Sequence, residues 1–180
     1  TRGAPILSPS VLRDFSDRAH LAWPHLAAIR QRWGGQLVVK GILTPEDAAI
    51  ARDHGADGLI VSNHGGRQLD GAVAPLRVLA AIVRAVPGLP VMLDSGVRRG
   101  TDAVKALALG ARCVFVGRPF NYAASVAGQA GVAHGIALLC AEISRDMAML
   151  GLNRLDQITP ACIRPVASAA DYLSPTETHP

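Results

Sequence analysis

The sequence predicts an α/β fold of parallel strands and, within that class, about half of an eight-stranded (β/α)8 TIM barrel. Three observations carry this expectation. Four short apolar runs alternate with helical patterns over short connections, as parallel strands joined by right-handed crossovers require. Each run delivers a chemically capable residue just past its C-terminal end: Lys40, His64, Asp94 and the pair Gly117-Arg118. A doubly wound sheet satisfies the first observation equally well, but barrel active sites are built at the C-terminal ends of successive strands, with phosphate held after the seventh and eighth. Here the last two runs carry the glycine-arginine loops, so the four are read as about strands 5 to 8.

Residues 1–20 mix turn formers with scattered apolar positions and read as a loop-like lead-in to a domain spanning 21–163. From Pro24 to Trp33, Leu26, Ile29 and Trp33 fall on one helical face, and Gly34-Gly35 ends the helix. Leu37-Val38-Val39 fits a strand buried on both faces. Thr44 is then an N-cap, Pro45 takes the first helical position, Asp47 stands where a capping-box acid would, and Gly55 closes the turn. Gly58 to Val61 is the second strand. Pro75 opens a helix through Leu76, Leu79, Ile82, Val83 and Val86, which Pro87-Gly88 stops before the strand Val91–Leu93. Thr101 is expected to cap a helix from Asp102 to Leu109, with Gly110 after it and a fourth strand over Cys113–Val116. Two helical patterns follow, Tyr122–Ala127 and Val132–Leu150, with Gly151 as the stop. Residues 164–180 turn to Ser, Pro, Thr and Asp and read as a tail.

The 180 residues, 49% hydrophobic and 18% charged, suffice for one buried core, so the chain is expected to be globular and soluble. A net charge of +4 without a basic block interleaved with aromatics argues against a nucleic-acid partner. Cys113, Cys140 and Cys162 are odd in number and lie in apolar surroundings, so they read as buried free thiols of a cytoplasmic protein. No signal peptide is apparent, and the longest apolar run, Gly131 to Ile143, is interrupted by His134 and Glu142 before it approaches the ~20 residues of a membrane span. The chain opens at Thr1 rather than methionine and reads as beginning inside a longer polypeptide.

The chemistry concentrates in Ser62-Asn63-His64-Gly65-Gly66-Arg67-Gln68-Leu69-Asp70. An imidazole titrating near neutrality removes a proton, and an arginine fork grips a carboxylate through two parallel hydrogen bonds. Together His64 and Arg67 suit a small hydroxy acid, although H-x-x-R alone also describes a solvated glycine-rich turn. Asp94-Ser95-Gly96-Val97-Arg98-Arg99-Gly100 and Val116-Gly117-Arg118-Pro119 form a second constellation. Glycine-exposed N–H groups beside arginine make an anion site suited to a phosphate monoester. Asp94 fits sugar-like hydroxyls, a helix N-cap or a buried ion pair; Arg99 reads as structural. Lys40 alone is as well explained by structure as by function, and beside a flavin it would stabilise the anionic reduced ring.

S-N-H-G-G-R-Q-L-D at 62–70, V-K-G at 39–41, D-S-G-V-R-R-G at 94–100, K-A-L-A-L-G-A at 105–111 and V-G-R-P at 116–119 resemble, in order and spacing, the FMN-dependent α-hydroxy acid oxidases and dehydrogenases. That family includes glycolate oxidase, lactate oxidase and dehydrogenase, and mandelate dehydrogenase. The resemblance covers about residues 14 to 163. It implies FMN as cofactor, a small (S)-2-hydroxy acid as substrate, His64 as base and Arg67 as carboxylate ligand. It further implies that Lys40 and Ser62 contact the flavin ring, Asp94 the ribityl chain, and Gly96, Arg98, Gly117 and Arg118 the phosphate, with Ser95 also among the cofactor-binding residues. Ser95 departs from the double glycine of many members. The family's first four strands, with further flavin contacts, substrate-binding tyrosines and the aspartate that pairs with the base, have no counterpart here. A second chain or segment is therefore expected to supply the N-terminal half, in a homo-oligomer of the complete enzyme. Membrane attachment through that half is compatible with the sequence. Two other readings share the phosphate loops: another FMN barrel, such as a flavin-dependent isopentenyl diphosphate isomerase, and a half-barrel that binds flavin or phosphate without turnover.

Overall fold

Three parallel strands, β1 (Val38–Ile42), β2 (Gly58–Val61) and β3 (Val91–Leu93), lie in the order β1-β2-β3 in the computed structural model, which describes residues 22–164. The lead-in over 1–20 and the tail after residue 164 lie outside the described residues. Helices α1 (Trp23–Arg32), α2 (Pro45–Asp53), α3 (Pro75–Ala85), α4 (Gly100–Ala108) and α5 (Arg118–Met149) connect and follow the strands. Local chemistry sets these boundaries. The Asp47 N–H donates to Thr44 Oγ1 at 3.1 Å, and Pro45 and Pro75 supply first-turn positions that need no donor. Gly55 and Gly110 continue past α2 and α4 in the left-handed region that side chains avoid.

The core lies between the sheet and α2, α3 and α4. Leu59 and Val61 of β2, Leu93 of β3 and Leu79 and Ile82 of α3 are completely or almost completely shielded. Each such side chain contributes roughly 1.5–3 kcal/mol by leaving water. β2 is the central strand: Val39 faces Leu59 on one side, and Leu59 faces Val91 on the other. A second cluster, Val104, Ala108, Met147 and Ile158, joins α4 to the end of α5.

Several expectations are corrected. The first strand is not buried on both faces, since Val38 is 43% exposed and β1 is an edge strand running on through Lys40 and Gly41 to Ile42. Cys113–Val116 follows the parallel pattern beside β3, with Leu93 N–H donating to Cys113 O and Phe115 N–H to Leu93 O, yet it makes only the single bridge Leu93–Val114. It has no neighbour on its outer side among the described residues, and the chain turns directly into α5. The fourth helix begins at Gly100 rather than after a Thr101 cap, because Asp102 Oδ2 accepts the Arg98 and Arg99 N–H groups, both at 3.0 Å. The last two helical patterns, by contrast, are separate as expected: α5 is divided at Ala127 and Gly128, whose backbone leaves the helical region.

The cysteines are free, as expected, but Cys113 and Cys140 are exposed and Cys162 only half-buried. α5 is also long and apolar enough, by length and composition, to cross a membrane. Counting uninterrupted apolar residues stopped at His134 and Glu142, whereas mean hydropathy averages over them; the break at Ala127 and Gly128 nevertheless divides the element, so it is not one continuous helix. Its C-terminal part is tied to α4, where Glu142 accepts the Gly100 N–H at 2.8 Å and pairs with Arg99 at 2.8 Å. That gives Arg99 the structural role expected of it.

Candidate active site

The parallel register sets the C-terminal ends of the strands side by side, and their side chains meet there. Lys40 lies opposite Ile60, which brings its ammonium to Ser62 Oγ at 3.2 Å and to Asp94 Oδ2 at 2.7 Å. Asp94 is thus an ion-pair partner, not a helix cap. Burial alone would push its carboxyl up, but hydrogen bonds from Lys40, Ser62 and Ser95 and the Lys40 charge outweigh that and hold it below the usual carboxylate range. Ser62 is 2% exposed and lies beneath the cavity floor, where its Oγ accepts the His64 N–H at 3.0 Å.

His64 stands at the start of a tight turn. His64, Gly65 and Gly66 have φ of 57°, 67° and 72°, three left-handed residues in succession. Glycine takes that conformation freely, whereas the imidazole is held there at a cost of roughly 1–2 kcal/mol. Asn63 Oδ1 and the Ser62 hydroxyl help hold it, accepting the Gly66 and His64 N–H groups. Arg118 Nη2 donates to Gly65 O at 3.1 Å, and a β-carbon on Gly65 would meet that guanidinium at 3.4 Å. The His64 ring and the Arg67 guanidinium are exposed, and neither has a hydrogen-bond or ion-pair partner among the described residues.

Both face a cavity of about 860 Å3 that Lys40, Asp94, Ser95, Gly96, Arg98, Gly117 and Arg118 also line. Every sequence-predicted site residue therefore converges on one place, with Ser62 just below it. At Gly96 (φ 84°) and Gly117, a β-carbon would meet nothing within 4 Å, so open space lies directly against the backbone. The Arg98 guanidinium is unpartnered among the described residues, and α5 begins at Arg118, its positive end toward the cavity. This donor set fits a phosphate monoester, and the size of the cavity leaves room for an attached ring system.

Sequence reasoning missed some of the lining. Phe115, Asn121 and Tyr122 also face the cavity. Tyr122 was discoverable, since it lies four residues after Arg118 on the same helical face. The Lys40–Asp94 pair joins two strands that are not adjacent in the sheet, and no local pattern announces it.

The sequence profile of the FMN-dependent dehydrogenases matches residues 7–165. An L-lactate dehydrogenase of Xanthomonas axonopodis pv. citri (strain 306) is 48% identical over 157 residues, covering 86% of this chain and 40% of the relative. A soluble mutant of the membrane-associated (S)-mandelate dehydrogenase from Pseudomonas putida superposes with a TM-score of 0.78 at 46% identity, covering 81% of this chain and 42% of that one. A mandelate oxidase mutant with a monooxide FMN adduct gives a TM-score of 0.72 at 46% identity, over 76% of this chain and 44% of its own. The three parallel strands and their helices are accordingly part of a TIM-barrel fold, and the chain spans about two fifths of the length of the relatives it matches. From the matched motifs and the solved structures alike, the chain belongs to the family of FMN-dependent dehydrogenases.

Proposed function

We propose that this chain supplies strands 5 to 8 of a barrel that oxidises an (S)-2-hydroxy acid to the 2-oxo acid with FMN, His64 acting as base and Arg67 binding the substrate carboxylate. The observation that carries this reading is the His64–Arg67 turn itself. A base and an anion fork without intramolecular partners among the described residues open onto the cavity that the phosphate-suited loops line. Lactate and mandelate, the acids named for the relatives, are the first substrates to test.

Arg67 would fix the carboxylate by two parallel N–H···O bonds, orienting the α-carbon and its hydroxyl toward the imidazole. The unprotonated ring nitrogen of His64 then takes a proton: from the α-carbon in a carbanion route, from the hydroxyl in a hydride route. Bound FMN would supply the two-electron acceptor. Arg98, Arg118 and the N–H groups at Gly96 and Gly117 would hold its phosphate, Ser95 lies on the same loop, and the ionised Asp94 would accept hydrogen bonds from its ribityl hydroxyls. Lys40, fixed by Asp94 and Ser62 at the floor, would supply a positive charge to stabilise the anionic reduced ring.

A second chain or segment with the first four strands would pair with the exposed edge at Val38 and cover Phe115, Tyr122 and Val126, which are 44%, 65% and 86% exposed. The complete enzyme is proposed to form a homo-oligomer. Its free thiols suit a reducing cytoplasm, and the membrane-associated relative makes attachment of the completed barrel to a membrane surface compatible with this account. The test is visible absorbance of the complete protein under anaerobic conditions. Bound flavin should bleach on addition of (S)-lactate or (S)-mandelate and persist with the (R)-acids. A flavin that no 2-hydroxy acid reduces would overturn the proposal.

A further inference from the structure

Among the described residues, two non-glycine residues have left-handed backbones, His64 (φ 57°) and Ser95 (φ 74°), and they are connected. The Gly65 N–H, in the peptide that follows His64, donates to Ser95 Oγ at 2.8 Å. Ser95 Oγ lies 2.7 Å from Asp94 Oδ1 and 3.4 Å from Ser62 Oγ. The direction of each bond follows from donor chemistry. An ionised carboxylate only accepts, so the single Ser95 proton goes to Asp94, and Ser62, whose oxygen accepts from Lys40 and the His64 N–H, likewise turns its own proton toward Asp94. Two successive N–H groups of the base-bearing turn therefore end on serine hydroxyls, and both hydroxyls relay to Asp94. Arg118 holds the Gly65 carbonyl from the other side at 3.1 Å.

Glycine would adopt the backbone at position 95 without strain, and a serine there gains nothing in conformational freedom. What it adds is the bridge. We infer that Ser95 is a positioning residue: its hydroxyl ties the loop that faces the cofactor to the His64–Gly65 turn, so that the phosphate and ribityl side of the cavity sets the position of the imidazole. This rests on the reading of His64 as the base and goes beyond a contact of Ser95 with the cofactor.

The test compares Ser95→Gly, Ser95→Ala and His64→Ala in the complete, FMN-loaded protein. Ser95→Gly removes the hydroxyl and relieves the backbone; Ser95→Ala removes the hydroxyl and keeps the strain. Both should retain FMN and the KM for (S)-lactate or (S)-mandelate, while the rate of flavin reduction falls about two- to tenfold, the effect of one neutral hydrogen bond. In both, the Gly65 amide should exchange its hydrogen faster, measured in the flavin-loaded protein without substrate. A Ser95→Gly variant that reduces flavin at the parental rate, with only Ser95→Ala impaired, would overturn the inference, because the rate would then follow strain and not the bridge. His64→Ala separates the two claims. Parental reduction by that variant would sink the base reading and with it any catalytic benefit from Ser95, whereas unchanged Gly65 exchange in the Ser95 variants would sink the tie itself.

Discussion

Replacing Gly100 by alanine sets two physical effects against each other, and the structure decides the sign. Alanine favours helix over glycine by at most about 1 kcal/mol, so sequence reasoning alone predicts a more stable α4. Position 100, however, is where α4 meets α5. A β-carbon there would lie 2.6 Å from Glu142 Cβ, 2.6 Å from Ile143 N and 2.7 Å from Glu142 C. Two of those atoms are backbone, so no rotamer change relieves them. Restoring ordinary contact at 3.4 Å needs a separation of about 0.8 Å. That movement stretches the hydrogen bond from Gly100 N to Glu142 Oε2, now 2.8 Å, and loosens the contact that carries Met147 against Val104 and Ala108. Overpacking of this kind costs roughly 1–3 kcal/mol, which exceeds the propensity gain. In thermal unfolding of the complete protein followed by circular dichroism, Gly100→Ala should lower Tm by about 2–6 °C. FMN should also bind more weakly, because Arg98 and the phosphate-facing loop lead directly into α4. An unchanged or raised Tm would show that the α4–α5 approach does not limit stability and would refute the packing argument.

Other expectations follow from the site. His64→Ala or His64→Asn should keep FMN but lose about 10²–10⁴-fold in flavin reduction by (S)-2-hydroxy acids, read by anaerobic stopped flow; a parental rate would make the histidine structural. Arg67→Lys keeps the charge and loses the fork, so KM should rise markedly in steady-state kinetics, and unchanged kinetics would remove Arg67 from the substrate site. Asp94→Asn breaks the Lys40 pair. Since the folded Asp94 pKa is lowered, the unfolded state binds more protons, and the stabilisation is present above the unfolded carboxylate pKa of about 3.9 and lost as pH falls through the folded value. Urea titrations should show the gap between parent and variant intact near about pH 6 and closing below about pH 4, and a gap independent of pH would exclude the ion pair as its source.

What the sequence made legible was whatever local chemistry decides. Thr44 and Pro45 announce α2, Pro75 opens α3, and the runs at 58–61 and 91–93 are strands with the bounds their residues suggest. The convergence of Lys40, His64, Asp94 and Arg118 was readable because parallel strands put their C-terminal ends together. The failures share a different cause. Val38 and Cys113 were assigned to the interior on their own apolarity and that of their neighbours, but burial needs something on the other side, and among the described residues nothing covers those side chains fully. The start of α4 was misplaced because Asp102 reaches back to two N–H groups and outweighs Thr101 as a start signal. Ser95 looked like a departure from glycine in a phosphate loop; only coordinates show its backbone left-handed and its hydroxyl between Asp94 and Gly65.

Native mass spectrometry of the flavin-loaded protein tests most directly the claim that this chain is one half of an FMN barrel. The three strands and the bridge at Val114 leave two open edges among the described residues, and a barrel closes only when its first and last strands pair. The account predicts one FMN held together with both the present residues and a polypeptide segment that carries the first four strands, with no flavin on this chain alone. A well-folded, flavin-loaded monomer made only of these 180 residues would contradict it.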